Sequence, residues 1–184
     1  MPQRCASSAH KKAPKVVCHV WNIVYLCVKI EIAKMAKYEY DYPRPALTAD
    51  CVVFGLDGDG TKVLLIERGQ EPCKGKWAFP GGFMQMDETA EECAVRELEE
   101  ETGLRLKQIR QVGAYSGVDR DPRGRVVTVA YYALTSVTAV KGSDDAARAQ
   151  WFALDKVPPL AFDHDLILRH AIERMQADLR AGKE

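Results

Sequence analysis

A chain of 184 residues with 47% hydrophobic and 28% charged positions has the size and composition of one ordinary globular domain. Lys plus Arg and Asp plus Glu balance at 26 each, so no global field recruits nucleic acid or an anionic membrane, and an anionic substrate must be handled locally. The six cysteines (Cys5, Cys18, Cys27, Cys51, Cys73 and Cys93) are widely spaced without a CxxC pair, which points to a reducing, cytoplasmic compartment.

Residues 1–46 offer little that joins them to a folded domain. Val16 to Val28 is apolar but contains His19 and Asn22, and it is too short to span a bilayer. With Lys11, Lys12 and Lys15 before it, the run mimics a signal peptide, yet no convincing small-residue cleavage site follows. Met35 reads as an alternative start, because Met35-Ala36-Lys37-Tyr38 leads straight into Tyr42-Pro43-Arg44-Pro45. The expectation is an N-terminal extension over 1–46, poorly ordered or an upstream-start artefact, ahead of one domain over 47–184.

Leu47 to Gly55 reads as a strand, Asp57-Gly58-Asp59-Gly60 as a turn and Lys62 to Glu67 as the returning strand. The turn has part of a calcium-loop pattern but lacks the closing bidentate Glu, so it is expected to be a hairpin turn. Val63 to Ile66 is continuously apolar, as in a strand buried on two faces. Arg68 to Lys76 is a polar loop, and Phe79-Pro80-Gly81-Gly82 is expected to be a tight loop where glycine permits close backbone approach.

A helix follows, and its ends are written in the sequence. Thr89 and Glu92 form a capping box, and Gly103 supplies the left-handed residue that stops the helix after Thr102. Arg96-Glu97-Leu98-Glu99-Glu100-Glu101 places Glu97, Glu100 and Glu101 on one face. Like charges at these spacings repel by roughly 0.2–0.5 kcal/mol per pair, at the helix end where the macrodipole is already negative. Such a face calls for a cation, and hard oxygen donors suit Mg²⁺ or Mn²⁺. Small Ala90, Cys93 and Ala94 on the same side let another backbone come close.

Beyond this helix, Leu106 to Tyr115, Arg125 to Thr135 and Ala149 to Leu154 are strand candidates. Val157-Pro158-Pro159 breaks the chain, and Asp163 to Leu179 is an amphipathic helix with Leu166, Ile167, His170, Ala171 and Met175 along one side.

Gly82, five residues, Glu88, seven residues, Arg96-Glu97-Leu98, one residue, Glu100-Glu101, one residue and Gly103-Leu104 resembles the Nudix box without a mismatch. The resemblance extends over about Leu47 to Met175. It implies an α/β fold, an α/β/α sandwich with a mixed β-sheet, and metal-dependent hydrolysis of a nucleoside diphosphate linked to another group. It assigns Glu97, Glu100 and Glu101 as metal ligands, with the Gly81 carbonyl as a fourth donor and Glu88 for a further ion. Arg96 is expected to orient a carboxylate. For the group that takes a proton from water, no Glu or His occurs between 102 and 150, leaving Asp119, Asp121, Asp144 or Asp145 as later-loop candidates. That absence favours the box itself, through Glu97 or Glu100.

Arg120-Asp121-Pro122-Arg123-Gly124-Arg125 is similar to the corresponding segment of ADP-ribose pyrophosphatases and their relatives. Arg120, Asp121, Arg123, Arg68 and His164 are the expected substrate contacts, and Tyr115, Tyr131, Trp77 and Phe162 are aromatics available for stacking or core. ADP-ribose, cleaved to AMP and ribose 5-phosphate, is the expected substrate. Modified nucleoside triphosphates and dinucleoside polyphosphates are the alternatives. A nucleotide-sugar sensor with a Nudix-like domain is a further reading, disfavoured because a sensor has no need of the intact box and one helix's worth of chain follows the last strand. No nucleic-acid or membrane partner is expected, and a homodimer is the analogy that the family offers.

Overall fold

The computed structural model describes residues 40–58, 60–106, 108–141 and 146–182. The expectations for Val16 to Val28 and Met35, and the carboxylates Asp59, Asp144 and Asp145, lie outside these residues. One compact unit runs from Arg44 to Glu184.

Seven strands form its sheet: β1 (Ala46–Asp57), β2 (Gly60–Arg68), β3 (Trp77–Ala78), β4 (Gly81–Phe83), β5 (Arg110–Tyr115), β6 (Val126–Ser136) and β7 (Ala146–Ala153). Helix α1 (Ala90–Thr102) follows β4, and α2 (His164–Arg180) closes the chain after a short 3₁₀ turn at Leu154–Lys156. β1 and β6 pair in parallel over almost their whole length, and the other pairings between these strands are antiparallel, so the sheet is mixed. No helix among the described residues is long and apolar enough to cross a membrane.

Period-two alternation along β1 sorts the core onto two faces. Cys51 and Val53 pack with Leu64, Cys93, Ala94 and Leu98 beneath α1. Val52 and Phe54 pack with Val63, Leu65, Ile167, Ala171 and Met175 beneath α2. The result is the α/β/α sandwich. Val63 to Ile66 is buried throughout, as a strand covered on its two faces requires.

The sheet divides where the site forms. β1 and β2 are paired from the hairpin to Val53 and Leu64. Past that point β1 takes β4 as its partner over Thr48–Asp50, while β2 takes β3 at Ile66 and Glu67. The stretch expected to be a plain tight loop at Phe79–Gly82 therefore runs into a strand. Gly81 and Gly82 are free of side chains there, which lets β4 lie against β1. A Cβ at Gly81 would collide with the Ala49 carbonyl and the Asp50 carboxylate. The strand expected from Leu106 starts only at Arg110, because Leu106 and Ile109 turn into the α1 side of the core first.

Candidate active site

The capping box of α1 is complete. Thr89 Oγ1 accepts from the Glu92 N–H at 3.2 Å, and Glu92 Oε2 accepts from the Thr89 N–H at 2.8 Å. Gly103 ends the helix with φ 73°, its N–H donating to the Glu99 carbonyl. Leu98, Cys93 and Ala94 anchor one side of α1 in the core, which fixes where the carboxylates emerge.

Arg96 gathers most of them. Its Nε and Nη2 donate to the two Glu88 oxygens at 2.9 and 2.7 Å, and its Nη1 donates to Glu97 at 2.8 Å and Glu100 at 3.0 Å. The fork hydrogen-bonded to Arg96 holds Glu88 down at about 2, well below the ordinary carboxylate value. Glu88 also accepts from the Gln85 N–H at 2.7 Å, closing the loop that precedes the helix. Glu88 is thus committed to Arg96 and the loop, and Glu100 is exposed on the same guanidinium. Neither lines the cleft described below.

Glu97 and Glu101 do line it. Glu101 is 9% exposed, and its Oε2 accepts from the Gly81 N–H at 2.9 Å. Burial pushes its carboxyl up to about 8 despite that bond, with the neighbouring Glu97 and Asp50 charges adding to the rise. Glu97 is raised too, chiefly by burial, against the opposing pull of Arg96. A Cβ at Gly82 would overlap the Glu97 carboxylate, so glycine lets that carboxylate lie where it does against the backbone.

Among the described residues no three acidic, His or Cys side chains converge as a finished cation site. The donor set nonetheless fits a hard divalent ion. Two desolvated carboxylates, Glu97 and Glu101, lack a cation of their own strong enough to keep them in the ordinary range. They face a glycine backbone at Gly81 and Gly82 that leaves room for an ion and its waters.

The cleft itself has a volume of about 310 Å³. Glu97, Glu101, Gly81 and Gly82 form one side with Arg96, whose guanidinium is engaged by Glu88, Glu97 and Glu100, and Arg68 and Arg123 contribute further cationic groups. Asp121, 5% exposed, accepts from the Arg123 backbone N–H at 2.9 Å and from its guanidinium at 2.7–3.2 Å, so it sets the direction of Arg123. Arg68 donates from Nε to the Pro72 carbonyl at 2.8 Å.

Arg120 and His164 line the cavity that adjoins the cleft together with Arg68 and Arg123, but the Arg120 guanidinium, an expected substrate contact, is engaged by another residue. The Arg120 side chain is 5% exposed and closes a bidentate pair on Asp163 at 2.7 and 2.9 Å, tying the loop after β5 to the start of α2. His164 is 3% exposed. Its Nδ1 accepts from the Phe79 N–H at 3.1 Å, which puts the proton on Nε2, 4.0 Å from Asp50. Burial lowers its pKa, so the ring is neutral, and it stacks on Phe79 at 4.9 Å. His164 therefore supports the Phe79–Gly82 segment from behind. Among the aromatics, Tyr115 and Tyr131 are buried in the core and Trp77 packs edge-on against Phe152. Phe162 alone of the four lies beside the arginines of the cleft.

Two features escaped the sequence reading. Asp50 is 7% exposed and accepts from the Thr128 hydroxyl at 2.6 Å, forming the floor beneath Gly81. Phe83 is exposed at the rim under Arg123. An acid inside an apolar strand was the available sign of the first; nothing local marked the second.

With this geometry the comparisons with known proteins agree. The NUDIX domain family model matches residues 44–175, and the chain belongs to the Nudix family. It is 43% identical over 128 residues to an ADP-ribose pyrophosphatase of Methanocaldococcus jannaschii, covering 70% of this chain and 73% of that protein. It is 36% identical over 156 residues to the ADPR responsive transcriptional repressor NtrR of Acinetobacter baylyi, covering 82% of this chain and 62% of the repressor. The NUDIX domain of Shewanella oneidensis NrtR, solved with ADP ribose, superposes with a TM-score of 0.68 at 34% identity, covering 79% of this chain and 98% of that one. The protein is a Nudix pyrophosphohydrolase.

Proposed function

We propose that the protein hydrolyses ADP-ribose to AMP and ribose 5-phosphate. One observation carries this reading: Arg68 and Arg123 share a single cleft with Glu97 and Glu101. A diphosphate lying there has cationic side chains for its non-bridging oxygens and carboxylates beside one phosphorus. Arg123, aimed by Asp121, and Arg68 orient the two phosphates through charge-assisted hydrogen bonds.

Glu97 is the base. It is half-buried, lines the cleft and has a carboxyl pKa raised by burial, whereas Glu100 is exposed outside it. Arg96 fixes one Glu97 oxygen, leaving the other to take the proton of the attacking water. The new P–O bond forms on one phosphorus as the bridging P–O bond breaks, and the far phosphate leaves with its sugar. Glu101 is held in place by the Gly81 N–H. Mg²⁺ or Mn²⁺, held by Glu101 and the Gly81 backbone beside Glu97, would supply charge neutralisation on the diphosphate.

The substrate named for the pyrophosphatase relative and the ligand named for the solved repressor domain support ADP-ribose over the triphosphate and dinucleoside polyphosphate alternatives. Glu97, Glu100 and Glu101 are all present, which favours hydrolysis over sensing alone. Cys51 and Cys93 are buried thiols pushed up to about 12, unreactive groups that suit a cytoplasmic setting. A screen of ADP-ribose, NADH, dinucleoside polyphosphates and nucleoside triphosphates with Mg²⁺ tests the reading. ADP-ribose is expected to give the highest kcat/KM, and preference for a triphosphate would refute it.

A further inference from the structure

The two cleft arginines come from distant parts of the chain, β2 and the loop before β6, yet they share one aromatic ring. The Arg68 guanidinium lies 4.9 Å from the Phe162 ring centroid and the Arg123 guanidinium 5.8 Å from it. Arg123 in turn lies 4.9 Å from the ring of Phe83. Phe83, Arg123, Phe162 and Arg68 thus form a continuous run of alternating aromatic and cationic groups. The cavity behind the cleft is lined by all four.

Phe162 is held in this position against its backbone preference. Its φ is +54°, a left-handed conformation that is an outlier for a bulky side chain. The flanking chain over-determines that conformation. The Ala161 N–H donates to the Trp77 carbonyl at 2.7 Å, the His164 N–H donates to the Ala161 carbonyl at 3.1 Å, and Asp163 is clamped by Arg120. Strain of this kind, fixed by its surroundings beside a cleft, marks a side chain whose placement matters to the site.

We infer that Phe162 is a positioning residue that holds the Arg68 and Arg123 guanidiniums side by side as a clamp for two adjacent phosphates. The aromatic face attracts each cation electrostatically and limits its rotamers, adding for Arg123 to the hold that Asp121 already has on its guanidinium. A carboxylate in place of the ring would add a further anion that competes with substrate. The ring therefore pre-organises the two charges for a diphosphate, and it does so without touching the reacting atoms. This rests on the diphosphate reading above.

The test replaces Phe162 by Asn, which accepts a left-handed backbone and removes the ring, and by Trp, which keeps an aromatic face. Binding of α,β-methylene-ADP, a diphosphate whose P–C–P link is not hydrolysed, is measured by calorimetry on the full-length protein with Mg²⁺. Steady-state hydrolysis of ADP-ribose runs beside it. Phe162→Asn is expected to weaken binding by about tenfold and raise KM by a similar factor with kcat within about twofold, the pattern of lost uniform binding. Phe162→Trp is expected to retain wild-type Kd and KM. Unchanged binding in Phe162→Asn overturns the inference, as does a loss in Phe162→Trp equal to that in Phe162→Asn. If Phe162→Asn does not fold, Phe162→Trp decides alone: wild-type affinity supports the clamp and a tenfold loss refutes it. A wild-type protein that binds the analogue but leaves ADP-ribose intact refutes the substrate reading while the binding comparison still judges the clamp. Failure of the wild type to bind the analogue at all overturns the clamp.

Discussion

Replacing Glu101 by Gln should stabilise the metal-free protein and disable it at once. Glu101 ionises near 4.5 when unfolded and is raised to about 8 in the fold, first by burial. Between those values the folded state holds a proton that the unfolded chain has released, so stability falls as pH rises through that window. Each pH unit costs about 1.36 kcal/mol, or about 3 kcal/mol by pH 7. Gln carries no charge, and its amide oxygen can still accept from the Gly81 N–H. Melting curves in EDTA from pH 5 to pH 9 should therefore show wild type and Glu101→Gln close together at pH 5. At pH 7 and above the variant should melt higher by about 6–12 °C, from the usual slope for a domain of this size. Mg²⁺ should nearly close that gap at pH 7 when present at a hundred times its Kd, where it stabilises wild type by about 2.7 kcal/mol and the variant far less, and reverse the order at a thousand times its Kd, where the gain is about 4.1 kcal/mol. Turnover of the variant should fall by about two orders of magnitude or more. A metal-free variant melting well below wild type at pH 8 would show that this carboxylate is a structural partner, and the cation-site assignment would fail.

The two loop arginines should separate by turnover. Arg123→Ala should lower kcat/KM for ADP-ribose by about ten- to a hundredfold, the worth of a charge-assisted contact, and should also lower the melting temperature, because it leaves the buried Asp121 carboxylate without its guanidinium. Arg120→Ala strands Asp163 and should cost about 3 kcal/mol of stability in denaturant titrations. Gly82→Ala pushes against the flexible Glu97 carboxylate and should remove about 99% of activity at little cost in stability; equal turnover would contradict the placement of Glu97. Gly81→Ala meets the Ala49 backbone and should cost about 1–3 kcal/mol, read by thermal melting. A chain beginning at Met35 should match the full chain in turnover and melting temperature, and a loss of either would contradict the expectation that residues 1–46 are an extension.

What the sequence made legible was local. The Thr89–Glu92 capping box, the Gly103 stop and the buried run Val63 to Ile66 depend on neighbours a few residues away, and the structure has them as expected. The parallel match of β1 to β6 joins strands separated by most of the domain, and no local signal encodes it. β3 and β4 are two and three residues long, too short for period-two alternation to announce them. At the site, the acidic face of α1 announced itself through its own repulsion, and Arg96 was expected to answer one carboxylate. Its reach to Glu88, Glu97 and Glu100 depends on how the loop before α1 folds back. The division of labour between Arg120 and Arg123 was hidden for the same reason: Asp163, which occupies Arg120, arrives from the start of α2.

The proposed reaction turns on one bond, the P–O–P bridge between the two phosphates. ADP-ribose incubated with the purified full-length protein and Mg²⁺, then resolved by mass spectrometry, should yield AMP and ribose 5-phosphate in equal amounts, with Glu97→Gln lowering the rate by orders of magnitude. Intact ADP-ribose under conditions where a nucleoside triphosphate is cleaved would contradict the account.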